Sequence, residues 1–152
     1  MKKDTYKNKA TFLEKLKTKS KREANLFFSL CEDDSEIVNT KKFKEVLLNS
    51  GLKANDKRLY NLFQNLDAHG DKIIFEDFID IIRSSELIVE KSLRGELSIP
   101  DFSYFAKNLD SMFDEVKKIK SGELASYIPP LAEVDPDQFG VAIVTADGQI
   151  YQ

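Results

Sequence analysis

Three patches of the sequence carry residue types that could do chemistry, and the first is Ser50-Gly51-Leu52-Lys53. A serine three residues before a lysine suits a nucleophile whose proton is taken by an amine one helical turn away, provided that the serine opens the helix. Here Ser50 ends an apolar-periodic helix, Gly51 stands at the C-cap and Lys53 falls in the loop beyond, so the spacing reads as coincidence. The second patch is Cys31, the only cysteine, set among Phe27, Phe28 and Leu30 at helical spacing. With one histidine in the whole chain to act as a base, Cys31 reads as a small core side chain in a reducing compartment rather than a nucleophile or ligand.

The third patch, Asp67-Ala68-His69-Gly70-Asp71-Lys72-Ile73-Ile74-Phe75-Glu76-Asp77-Phe78, stands between two expected helices and resembles an EF-hand loop. Such a loop offers a hard cation oxygen ligands at its first, third and fifth positions, turns on a glycine at the sixth and closes with a bidentate glutamate at the twelfth. Asp67 and Asp71 fit the first and fifth. His69 takes the third, Lys72 puts a positive charge at the glycine position and Phe78 stands where glutamate belongs. Deleting one residue from the alignment brings Asp77 to the twelfth position, but with a shorter loop and a shorter carboxylate. The expectation is a degenerate loop, with Asp67, Asp71 and Asp77 holding no metal and His69 exposed. An earlier loop, Cys31 to Lys42, lacks ligands at both ends, and pairing through Val38 and Ile74 would hold the two loops together as a scaffold.

The elements that position these patches follow from apolar periodicity. Ala24 to Cys31 has helical spacing; a second helix is announced by Asn39 or Thr40 as cap and buries Phe43, Val46 and Leu47 before Gly51 closes it. A third is expected from near Asn55 with Leu59, Leu62, Phe63 and Leu66 on one stripe, and a fourth from about Phe75 through Phe78, Ile79 and Ile82 toward Leu93. The clearest pattern is the fifth, where Pro100 suits a first turn and Phe102, Phe105, Leu109, Met112, Phe113 and Val116 recur at three- and four-residue intervals, ending near Ser121-Gly122. Beyond Tyr127-Ile128-Pro129-Pro130 the character changes. Phe139 to Val144 is strand-like, Asp147-Gly148 predicts a hairpin turn and Gln149-Ile150-Tyr151 begins the returning strand. A lone hairpin is marginal in water and exposes unpaired edges, so the sheet is expected to continue in sequence absent from this chain.

With 152 residues and 41% hydrophobic content, the chain can bury an ordinary core without disulfides. Its formal charge of -3 hides an asymmetry, because residues 1–22 carry nine Lys or Arg against Asp4 and Glu14. This basic arm lacks the apolar run of a signal peptide and the Arg- and Ser-rich character of a transit peptide. A solvated helix explains it better than nucleic acid or anionic lipid, since aromatic residues are not interleaved to stack on bases. No apolar stretch has bilayer length, which makes a cytoplasmic protein with no membrane or nucleic-acid partner the default.

The stretches Ser98-Ile-Pro-Asp-Phe-Ser-Tyr-Phe-Ala, Ser121-Gly-Glu-Leu-Ala-Ser-Tyr-Ile-Pro-Pro-Leu-Ala and Asp135-Pro-Asp-Gln-Phe-Gly-Val-Ala-Ile-Val-Thr-Ala-Asp-Gly-Gln resemble animal-type and related bacterial serine-dependent glutaminases, and Phe27 to Leu66 resembles their N-terminal domain. The resemblance, which covers about 25–152, implies a mainly α fold: a paired EF-hand-like helix-loop-helix domain followed by the first hairpin of an α/β, β-lactamase-like domain. With the basic arm at 1–22 set apart by its charge, it implies a helical domain at 23–97, and at 98–152 a linking helix with the start of the catalytic domain. In that family L-glutamine is hydrolysed to L-glutamate and ammonia through a Ser-x-x-Lys nucleophile, which this resemblance places beyond Gln152, so catalysis is not expected from the chain alone. No cofactor is implied; the implied partners are the chain's own catalytic domain, further copies of the complete enzyme, and L-glutamine. One family site residue falls here, the tyrosine of the Tyr-Ile-Pro motif, which corresponds to Tyr127 and would line the glutamine site. Periodicity alone would instead pack Tyr127 against Pro129 and Pro130. The competing readings are an EF-hand-like binding module with weak calcium response and a stand-alone adaptor that binds the full enzyme.

Overall fold

The computed structural model describes residues 18–32 and 36–152. The expected basic arm therefore lies outside the described residues, except for its last positions, which open the first helix. Helix α1, Thr18–Leu30, buries Ala24, Leu26, Phe27 and Leu30. A two-residue strand β1, Val38–Asn39, leads into α2, Thr40–Asn49. Asn39 is the cap: its side chain accepts the Lys42 amide at 3.1 Å, satisfying one orphan donor of the first turn.

Helix α3, Tyr60–His69, starts later than the Asn55 expected from periodicity. The reason is local, since the Asp56 carboxylate accepts the Arg58 amide at 2.9 Å and diverts the chain into turns before the helix can begin. Strand β2, Lys72–Ile73, follows, then α4, Phe75–Ile82, and α5, Glu86–Arg94. The single long helix expected from Phe75 toward Leu93 is thus two. The chain is redirected at Ser85, which is buried and whose hydroxyl donates to the Arg58 carbonyl at 2.6 Å.

Strands β1 and β2 pair antiparallel, Val38 opposite Ile73 and Asn39 opposite Lys72. The expected partner of Val38 was Ile74, which is 49% exposed. The contact falls one residue earlier, at Ile73, which is fully buried while Ile74 turns outward. Around this pairing the core closes on aromatic rings: Phe27 meets Phe28, Phe75 and Phe78 edge-on, at centroid distances of 5.6, 5.5 and 5.4 Å. Phe27, Phe43 and Phe78 are fully buried, and truncating a ring of this kind costs about 3–5 kcal/mol. Cys31 is half-buried beside them, its thiol donating to the Phe27 carbonyl at 3.4 Å.

Helix α6, Phe102–Lys117, is capped by Asp101, which accepts the Tyr104 amide at 3.0 Å; Pro100 thus stands before the cap rather than in the first turn. Phe102 is buried, while Tyr104, Met112 and Val116 stay exposed. A short helix α7, Pro129–Ala132, and a hairpin of β3, Ile143–Val144, and β4, Ile150–Tyr151, complete the fold. The expected strand from Phe139 is confined to Ile143–Val144, paired with Tyr151 and Ile150. Phe139 instead stacks on Phe113 of α6 at 5.0 Å, which draws its part of the chain away from the ladder.

Candidate functional site

Among the described residues outside the core, the β3–β4 turn is the one whose side chains and backbone dock most fully into the helical part of the chain. Asp147-Gly148 makes the turn, with Gly148 at φ +85° and its amide donating to the Thr145 carbonyl at 2.9 Å. That left-handed φ favours glycine, and a Cβ there would also displace the end of the Arg58 side chain. The Asp147 carboxylate accepts the Ser98 amide at 2.9 Å, the Ser98 hydroxyl at 2.7 Å and Lys91 Nζ at 3.0 Å. These bonds, those from Ser98 foremost and then Lys91, hold Asp147 below the usual carboxylate range. Arg58 binds the Asp147 carbonyl at 2.6 Å and the Asp56 carboxylate at the same distance. The hydrogen bond to Asp56 raises Arg58 above its ordinary value, and the same bond from Arg58 lowers Asp56.

Gln149 is wholly buried although its side chain is polar. Its Nε2 donates to the carbonyls of Ser50 and Ile99, both at 2.8 Å, and its Oε1 accepts the Ile99 amide at 2.9 Å. The next amide, that of Ile150, donates to the Gly51 carbonyl at 2.9 Å. The C-terminal end of α2 therefore works through its backbone. The Ser50 hydroxyl donates to the Leu47 carbonyl at 2.7 Å and accepts from Ser92 at 2.8 Å, a pattern of helix closure rather than nucleophile activation.

The residues of the expected loop are distributed otherwise. Asp67 lies within α3 and pairs with Lys44; Asp71 offers its backbone carbonyl to the Thr40 amide at 3.1 Å; Asp77 lies on α4 with its carboxylate 3.1 Å from His69 Nε2. Among the described residues no three His, Cys, Asp or Glu side chains gather as a metal would need. Tyr127 stands in the turn before α7 and is 84% exposed, so its ring is not packed away on Pro129 and Pro130. An apolar groove of about 170 Å³ runs along α6 between Leu109, Met112, Phe113, Val116, Phe139 and Val141. Among the described residues no helix is long and apolar enough to cross a membrane.

The turn follows from its residue types, but its docking does not, because a glutamine at the head of a strand carries no apolar signal. The cue to the docking is the polarity of Gln149 beside two residues of a strand pattern.

Comparison with known proteins divides the chain on either side of α6. The EF-hand domain family model matches residues 22–100 and the glutaminase family model matches residues 122–152. The mitochondrial liver isoform of glutaminase from Rattus norvegicus is 31% identical over 130 residues, which cover 82% of this chain and 21% of that protein. A glutaminase of Nostoc sp. is 41% identical over 63 residues, 41% of this chain and 19% of that protein. A glutaminase of Rhizobium johnstonii is 53% identical over 45 residues, 29% of this chain and 15% of that protein. The chain thus spans about a fifth or less of the length of these curated relatives.

Proposed function

The chain belongs to the EF-hand domain family and is related to glutaminases through both of its segments, and from that premise we propose that it is the N-terminal accessory region of an enzyme that hydrolyses L-glutamine to L-glutamate and ammonia. The observation that carries the reading is the docked turn: Asp147 and Gln149, in the glutaminase-matched segment, are bonded to Ser98, Ile99 and Ser50 in the EF-hand-matched one. In this reading residues 1–22 are a basic arm, 23–97 a helical scaffold, and 98–152 a linking helix with the opening of a β-lactamase-like catalytic domain.

Catalysis would come from a Ser-x-x-Lys on a helix beyond Gln152, in a cytoplasmic, homo-oligomeric enzyme that needs no cofactor. Tyr127 would line the glutamine site, its phenol donating a hydrogen bond or assisting proton transfer beside the nucleophile. Its exposure supports the role, since a ring packed on the prolines could not turn toward a substrate. The apolar groove along α6 would be covered by the catalytic domain.

The test extends the reading frame beyond Gln152 and measures ammonia released from L-glutamine. A longer product that is active, with this chain silent, is the expected result, and Tyr127→Phe in the long form should then lower kcat. Absence of a helix-opening Ser-x-x-Lys, or a long product with no ammonia release, would leave a binding module.

A further inference from the structure

A primary carboxamide has two donors and an acceptor oxygen, and a cavity that satisfies all of them distinguishes it from a carboxylate, a hydroxyl or a hydrocarbon. We propose that the backbone of Ser50, Gly51, Ser98 and Ile99 is a carboxamide-reading seat, a binding site on the helical domain whose ligand is this chain's own Asp147-Gly148-Gln149 turn.

Each position of the turn is recognised by a different physical feature. Gln149 is wholly buried, and both of its donors meet backbone carbonyls while its oxygen meets a backbone amide. A glutamate of the same shape would bring a carboxylate oxygen against two carbonyls and lose both donors. A methionine would leave those three backbone groups buried without partners, which is costly. Gly148 is favoured by its φ of +85°, which side chains resist, and Asp147 is read by Ser98 and Lys91.

The hairpin needs such a seat. Its ladder holds only the pairs Ile143 with Tyr151 and Val144 with Ile150, and an isolated two-stranded hairpin is marginal in water. The seat adds a backbone bond of its own, from Ile150 to Gly51, so that β4 is held by the end of α2 as well as by β3. The helical domain thereby fixes where the first sheet residues stand.

The test is amide hydrogen exchange on the full chain, read at Ile150 and Thr145, whose amides donate to Gly51 and Gln149, with the helical amides of Phe63 and Phe78 as controls. Gln149→Glu should speed exchange at Ile150 and Thr145 at least about tenfold while the controls hold. With rates referred to the intrinsic rate at each pH, part of that protection should return below the glutamate range, where the protonated side chain regains one donor. Gln149→Met should show the loss without the recovery. Unchanged exchange in Gln149→Glu, identical pH behaviour in the two variants, or loss of protection at Phe63 and Phe78 together with Ile150 would each overturn the proposal. Exchange that depends on chain concentration would also overturn it, by making the turn of a second copy the ligand. Ammonia release plays no part in the readout, so the glutaminase reading and the seat fail separately.

Discussion

The ring of Phe102 lies over Gly51 so closely that a Cβ at residue 51 would come within 2.6 Å of it. Gly51 also has φ +87°, a conformation that follows from its place just after α2 and that side chains resist. Gly51→Ala combines a left-handed backbone with overpacking, and it should destabilise the chain by about 2–4 kcal/mol. Urea unfolding followed by circular dichroism measures this; a change below about 0.5 kcal/mol would contradict both the backbone strain and the overpacking.

Acid should act on the docked turn. Asp147 and Asp56 are both held below the ordinary carboxylate value by their hydrogen bonds. Groups depressed on folding contribute stability that is present above the unfolded value, about 3.9, and is lost as pH falls through the lower folded values. The Ser98 amide resonance should therefore titrate with a midpoint below about 3.9. Asp147→Asn should abolish that titration, and a midpoint at or above the ordinary value would contradict the assignment.

Calcium should leave the chain unchanged. Asp67 is committed to α3 and to Lys44, and Asp77 faces His69 from α4, so no rearrangement short of unwinding α3 brings them around one cation. Amide spectra recorded with millimolar calcium and with a chelator should superimpose. Shifts gathered on Gly70 to Ile74 would show a loop that can still close.

Glu90 is buried between Arg22, whose Nε lies 2.7 Å away, and Arg94 at 3.0 Å, tying α1 to α5. Removing the carboxylate leaves two guanidiniums facing each other without it, and Glu90→Ala should destabilise by about 1–3 kcal/mol. The arginines are partly solvated, which keeps the figure below that of a fully buried pair. A double-mutant cycle with Arg22→Ala should return a coupling of about 1 kcal/mol, and near-additivity would show that solvent takes over the role of Arg22.

Helices were legible where one face is apolar. Phe43 and Leu47, Leu62 and Leu66, and Phe102 announced their elements by spacing alone, and Val38 was correctly placed in the contact between the loops. What escaped was set by polar side chains acting on the backbone. Ser85 divides α4 from α5 without a proline or glycine, Asp56 delays α3, and the pairing with Val38 falls at Ile73 rather than Ile74. At the candidate site the Asp147-Gly148 turn was evident from its residue types. Its partners were not, because the bond from Gln149 to Ser50 spans 99 positions and neither residue carries a periodic signal.

That separation also bears on how the protein is made. Gln149 reaches Ser50 across 99 positions and Ile99 across 50, so it closes on both at once only after the helical part has brought Ser50 and Ile99 together. Synthesis runs in the same direction: Ser50, Ser98 and Ile99 emerge from the ribosome before Gln149 does. The helical part can thus assemble on the nascent chain while the turn is still being translated, and the first residues of the sheet meet a surface already formed to receive them.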